Sequence, residues 1–140
     1  MTLPLSSVPT IQVRSGAWEH ICEKLEKREE VPSFRSFLLD AYYFATSGDP
    51  VRAVVMGCAA WETALRQFLS SSGTEGLHKL RQVAEHRKGK RLPDWLGDPV
   101  TKLAKVRNKL LHEGKKDLAK EDIVGMILAV DEATIWLFEP

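Results

Sequence analysis

The sequence predicts an all-α protein, an antiparallel bundle of four to five helices around a single core. Three observations carry this. Apolar residues recur at three- and four-residue spacing in one segment after another, the period of a helix face. The pairs Asp49-Pro50 and Asp98-Pro99 put a capping side chain directly before a proline, a signal for a helix start. No run alternates apolar with polar residues as a half-buried strand does, and no internal repeat is present. At 140 residues the chain suits one compact domain with one core.

The elements follow in order. Residues 1–14 carry two prolines and several β-branched residues and read as an extended arm, leaving 15–140 as the domain. Ser15 is placed to cap a short helix to about Arg28, with Trp18, Ile21, Cys22 and Leu25 on its apolar side. Pro32 then interrupts the chain, and Ser33 caps a helix over about 34–46, marked by Phe34, Phe37, Leu38, Ala41 and Phe44. Gly48 suits a C-cap, Asp49 an N-cap and Pro50 the first helical position. The helix from Pro50 to about Ser70 shows the clearest stripe, Val51, Val55, Cys58, Glu62, Leu65 and Leu69. A helix over about 75–88 follows, and Gly89, Pro93 and Gly97 mark a loop. Asp98-Pro99 opens the next helix, with Val100, Leu103, Ala104, Arg107, Leu110 and Leu111 on one side and Gly114 closing it. The last helix is expected from about Leu118 to Phe138.

Composition removes several classes. Apolar residues make up 44% and charged residues 28%, ordinary for a globular protein. Twenty lysines and arginines face nineteen aspartates and glutamates, so net charge makes no case for a nucleic-acid partner, and any such case rests on local clustering. Two cysteines cannot build a disulfide framework, and Cys58, in an apolar helical pattern, reads as a small buried hydrophobe. The start of the chain lacks a basic segment followed by a long apolar run, and no apolar stretch approaches the ~20 residues of a membrane span. The expectation is a cytoplasmic protein with no membrane association. The scattered histidines and cysteines give no zinc signature, and a glycine-rich phosphate loop is absent, so neither metal nor cofactor is expected.

Two charges break the apolar stripes, Glu62 and Arg107. A buried charge is costly unless paired or solvated by a cleft. The simplest arrangement is that Glu62 meets Arg107, or that both line one polar groove; a structural ion pair fixing helix register is the plain alternative. His112 lies five residues after Arg107, about 140° around a regular helix. Gly114 suggests a loosened last turn that swings His112 back towards Arg107. A surface histidine at a helix C-terminus, its cationic form favoured by the macrodipole, is the alternative there. Asn108 adds an uncharged donor and acceptor beside the arginine.

The string Lys105-Val106-Arg107-Asn108-Lys109-Leu110-Leu111-His112-Glu113-Gly114 resembles the signature of HEPN domains: an arginine, usually followed by a polar residue, then a histidine after four to six intervening positions. The segments around Asp40–Ala45, Ser47–Pro50 and Ala59–Leu65 resemble the HEPN helix pair, in which an acidic residue often stands near the middle of the second helix. The resemblance covers roughly residues 33–138. It implies a helical bundle forming a two-fold homodimer, whose paired motifs make one composite groove. RNA is then cut without a metal by attack of its own 2′-hydroxyl on the adjacent phosphate. Under it, the two copies of His112 serve as general base and general acid. Arg107 holds the scissile phosphate and stabilises its developing charge. Asn108 orients His112 or contacts a phosphate oxygen, and Glu62 holds Arg107. A toxin or anti-phage setting, with an antitoxin or defence partner, is the expected context. In the branch paired with a nucleotidyltransferase antitoxin, a tyrosine follows the histidine by two residues. Gly114 stands there instead, so regulation through that tyrosine is not implied.

Basic residues cluster in two places. Lys79, Arg81, Arg87, Lys88, Lys90 and Arg91 precede and enter the loop, while Lys102, Lys105, Lys109, Lys115 and Lys116 surround the motif helix. Arg87, Lys88, Lys105, Lys109, Lys115 and Lys116 are the candidates for tracking RNA phosphates. A solvated basic face is the plainer explanation. Two other functions remain open: a non-catalytic helical interaction module, and a ligand-binding bundle using Trp61 and Trp95 as stacking faces.

Overall fold

The computed structural model describes residues 33–114, 118 and 121–140. The arm expected over 1–14 and the short helix expected over 15–28 lie outside the described residues, as do Lys115 and Lys116. Among the described residues the chain is all-helical: α1 (Ser33–Thr46), α2 (Pro50–Leu69), α3 (Leu77–Lys88), α4 (Asp94–Glu113) and α5 (Ile123–Phe138). No strand occurs among them.

The α1–α2 turn forms as its sequence dictates. Gly48 takes the left-handed φ of 84° that a side chain resists. The Asp49 carboxylate accepts from the Arg52 backbone N–H at 3.3 Å, and Pro50 fills the first helical position, where its missing N–H costs nothing. At the other end Ser70 adopts a left-handed φ of 51° and its N–H closes the last turn on the Gln67 carbonyl.

Helix α2 is central and packs against each of the other four helices. Its buried positions are Ala53, Val54, Gly57, Cys58, Ala60, Trp61, Ala64 and Leu65. Four of these are Ala or Gly, which lets neighbouring backbones come close. A Cβ on Gly57 would stand 3.0 Å from Leu103 Cδ2 and 3.5 Å from Ile127 Cγ1, so α4 and α5 both close on α2 at that point. The core face is therefore rotated from the stripe expected on sequence: Val55 is exposed and Glu62 lies at the border of the core.

Helix α1 is locked to α5 by a buried ion pair. Arg35 Nη1 donates to Asp131 Oδ1 at 2.6 Å, and both residues are buried. The Tyr42 hydroxyl is buried close by, and its pKa is held above the ordinary phenol range by burial first and then by the Asp131 and Glu132 carboxylates, against Arg35. Phe34 stacks on Phe138 with centroids 5.3 Å apart, and Phe68 meets Phe138 edge-on.

Two helix starts differ from expectation. Helix α4 begins at Asp94 and carries Gly97 and Pro99 inside it. Arg81 of α3 is the reason: its guanidinium donates to the Gly97 carbonyl and to Thr101 Oγ1, drawing the earlier residues into the helix. Its Nη2 stands 2.5 Å from where a Gly97 Cβ would be, so glycine here makes room for a guanidinium and is not a loop marker. Helix α5 begins at Ile123 and not near Leu118, because Asp122 caps it, accepting from the Gly125 N–H at 2.9 Å. Among the described residues, no helix is long and apolar enough to cross a membrane.

Candidate functional site

Helix α4 carries the motif. Its buried side consists of Leu96, Gly97, Val100, Leu103 and Val106. Arg107 is half-buried at the edge of that side, and its Nε is shut away from solvent without a hydrogen-bond partner. Its Nη2 donates to Asn108 Oδ1 at 3.3 Å. Among the described residues no carboxylate lies within ion-pair distance of this guanidinium.

Glu62 does not supply one. Its Oε2 is 3.7 Å from Arg66 Nε, one turn further along α2, and its side chain is 42% exposed. Arg66 in turn donates to the carbonyls of Gly73 at 2.6 Å and Glu75 at 2.8 Å. Glu62 thus orients the arginine that anchors the α2–α3 loop. The expected contact with Arg107 is absent because the two residues flank Cys58 without touching. Cys58 is buried, and its thiol donates weakly to the Leu103 carbonyl. Burial pushes its pKa up to about 11; Arg107 pulls it down and Glu62 pushes it up.

His112 is exposed and lies within the regular helix, which continues through Glu113. The Gly114 N–H bonds the Leu110 carbonyl at 3.2 Å, so the last turn keeps α-helical spacing and the expected swing of His112 does not occur. Within one chain Arg107 and His112 remain about 140° apart around α4. Leu111, expected on the buried side, is 71% exposed and sits angularly between them.

The basic residues separate into two groups. Lys102, Lys105 and Lys109 share the outer flank of α4 with His112, beside Leu118 and Glu121 just ahead of α5. Lys88 sits at the other end of α5. Its ammonium donates to the carbonyls of Leu137 and Glu139 at 3.3 and 2.8 Å and lies 4.9 Å from the Trp136 ring centroid. Burial, then Lys90, lowers its pKa, while Glu139 acts the other way. Sixteen residues of α5, about 24 Å of helix, separate these groups, so Arg87 and Lys88 do not join the motif-helix lysines in one patch. Of the two tryptophans considered as stacking faces, Trp61 is core and Trp95 is exposed. Among the described residues no cluster of three histidine, cysteine or acidic side chains is placed to hold a metal ion.

Sequence reasoning missed the Arg66 anchor and the exposure of Leu111. Both had a signal: Arg66 is the i+4 partner of Glu62, and Leu111 lies on the opposite side of α4 from Val106 by helical arithmetic. Comparison of the chain with family models, with curated proteins and with solved structures finds no match.

Proposed function

We propose that the protein is a HEPN-type RNA endonuclease acting as a two-fold homodimer, in a toxin or anti-phage setting. The observation that carries this is Arg107: a half-buried guanidinium with no carboxylate partner among the described residues, held by Asn108 on a helix that presents an exposed histidine five residues later. A cation seated at the core's edge without a counter-ion is suited to an anion from outside, and a guanidinium fork matches phosphate geometry. Leu111 favours a partner on this face, since covering it would bring the Arg107 and His112 flanks into one interface.

In the proposed reaction one His112 takes the proton of the ribose 2′-hydroxyl, whose oxygen attacks the adjacent phosphorus. The partner's copy of the same histidine protonates the departing 5′-oxygen. The products are a 2′,3′-cyclic phosphate and a 5′-hydroxyl end. Arg107 neutralises charge developing on the non-bridging oxygens. Glu62 has no part in this scheme, given its engagement with Arg66.

The test is incubation of purified protein with RNA in a chelator, wild type beside His112→Ala and Arg107→Ala, with the oligomeric state measured on the same samples. Loss of a general acid–base group lowers the rate by roughly 10²–10⁴-fold. Equal cutting by all three proteins, or a wild type that is monomeric, defeats the proposal. The wide angle between Arg107 and His112 within one chain favours a second reading, a non-catalytic helical interaction module; a dimer that never cuts RNA points to it.

A further inference from the structure

The outer flank of α4 holds a groove of about 250 Å³ on the side facing away from Arg107. Lys102, Lys105 and Lys109 form its rim, spaced three and four residues apart so that they stand in one row about 10 Å long. Its floor is apolar: Val106, Leu110 and Leu118. Lys102 is paired with Glu121 at 3.2 Å, whereas Lys105 and Lys109 have no carboxylate partner among the described residues. Among the described residues that line the groove, three cations face one carboxylate.

We infer that this groove is a subsite for one nucleotide unit of an RNA strand, with phosphates on Lys105 and Lys109 and the base lying on the apolar floor. A basic rim over an apolar floor selects a ligand that is anionic on one side and flat and apolar on the other. The volume falls below the ~300–1,000 Å³ of sites that enclose a whole small molecule, which suits one unit of a polymer. The lysine row leads along α4 to His112, three residues beyond Lys109, so a strand held in the groove runs towards the histidine. The inference rests on RNA being the substrate, but its test measures binding and does not require cutting.

The probe is a short single-stranded RNA with 2′-O-methyl groups, which cannot undergo 2′-hydroxyl attack, followed by fluorescence anisotropy across a salt series. Wild type is compared with Lys105→Glu/Lys109→Glu, both exposed positions, and with Leu110→Gln; circular dichroism confirms that each variant is folded. The double variant is expected to weaken binding roughly tenfold or more and to flatten the log–log salt dependence by about 1.4, two phosphates at ~0.7 each. Leu110→Gln is expected to weaken binding of this RNA while leaving an abasic strand unaffected. Competition by a free nucleoside monophosphate shows that the groove also takes the isolated unit; strand binding without such competition shows that it takes the unit only within a polymer. Unchanged affinity and salt slope in the folded double variant overturn the inference, as does a polyglutamate peptide binding as tightly as the RNA. If the double variant loses binding while wild type never cuts ordinary RNA, the groove stands and the nuclease reading falls. If wild type cuts and the double variant binds normally, the reverse holds.

Discussion

The Arg35–Asp131 pair tests the packing of α1 on α5. Arg35 Nη1 and Asp131 Oδ1 are 2.6 Å apart, and both side chains are more than nine-tenths buried. Removing Asp131 leaves the Arg35 guanidinium as an uncompensated buried charge, at a cost of about 3–5 kcal/mol. For a domain of this size each kcal/mol moves the melting temperature by roughly 3–4 °C, so Asp131→Ala should lower it by about 10–20 °C. Replacing both partners by apolar residues of similar volume, Arg35→Met with Asp131→Leu, removes the desolvation cost along with the attraction. That double variant is expected within ~2 kcal/mol of wild type, well above either single variant. Urea unfolding followed by circular dichroism gives all four stabilities and their coupling. An Asp131→Ala variant within 1 kcal/mol of wild type, or a double variant as unstable as the sum of the two single variants, would refute the reasoning.

Three further outcomes are expected. The Cys58 thiol has its folded pKa raised by burial from 9.0 to about 11, so the folded state holds this proton more tightly than the unfolded chain; the resulting stability is complete below pH 9 and is lost as pH rises towards 11. At 1.36 kcal/mol per pH unit, the stability gap between wild type and Cys58→Ala should narrow by about 2–3 kcal/mol across that window, and denaturant unfolding at both ends checks it. Gly114, at φ 78° and ψ −168°, occupies a region open almost only to glycine. Gly114→Ala should therefore cost ~1–3 kcal/mol even though the space around it is open, as read by thermal unfolding. His112→Ala, at an exposed position, should leave stability within about 0.5 kcal/mol of wild type while the proposed cutting activity is lost; comparable losses of stability and activity would make the histidine structural.

Local signals in the sequence were readable where the chain itself decides the outcome. Gly48-Asp49-Pro50 ends one helix and starts the next as expected, because the left-handed glycine, the capping carboxylate and the proline act within four residues of one another. Asp98-Pro99 presents the same signal and does not start a helix, because Arg81, sixteen residues earlier than Gly97, reaches across to Gly97 and Thr101. Periodicity located α2 but not the angle of its buried face, since a helix contacted on several sides buries alanines and glycines that carry little hydropathy signal. Glu62 and Arg107 were both legible as stripe-breaking charges, and both lie at the core border. Their partners were not legible: one is paired along its own helix and the other has no counter-ion among the described residues. The one buried ion pair described went unread in the sequence, although Asp131 sits four residues after Ile127 and three before Thr134, both fully buried.

The geometry of α4 makes quaternary structure the deciding variable for its chemistry. A regular helix fixes the angle between Arg107 and His112, so the two flanks of one chain, about 140° apart, do not by themselves close on a phosphate. In the proposed dimer a second copy removes the difficulty, because its flanks face those of the first chain across the contact and close the groove around the phosphate. The direction bisecting the two flanks is occupied by Ala104, Asn108 and Leu111, and Leu111 is the most exposed of the large apolar residues described. A leucine in that position costs solvation in a monomer and gains burial of about 2 kcal/mol per copy in a dimer. If the proposed dimer and nuclease activity hold, Leu111→Lys should dissociate the dimer and abolish cutting together, without unfolding the chain. A Leu111→Lys protein that stays dimeric and cuts RNA at the wild-type rate would place the subunit contact elsewhere and leave Arg107 and His112 with no route to a shared substrate.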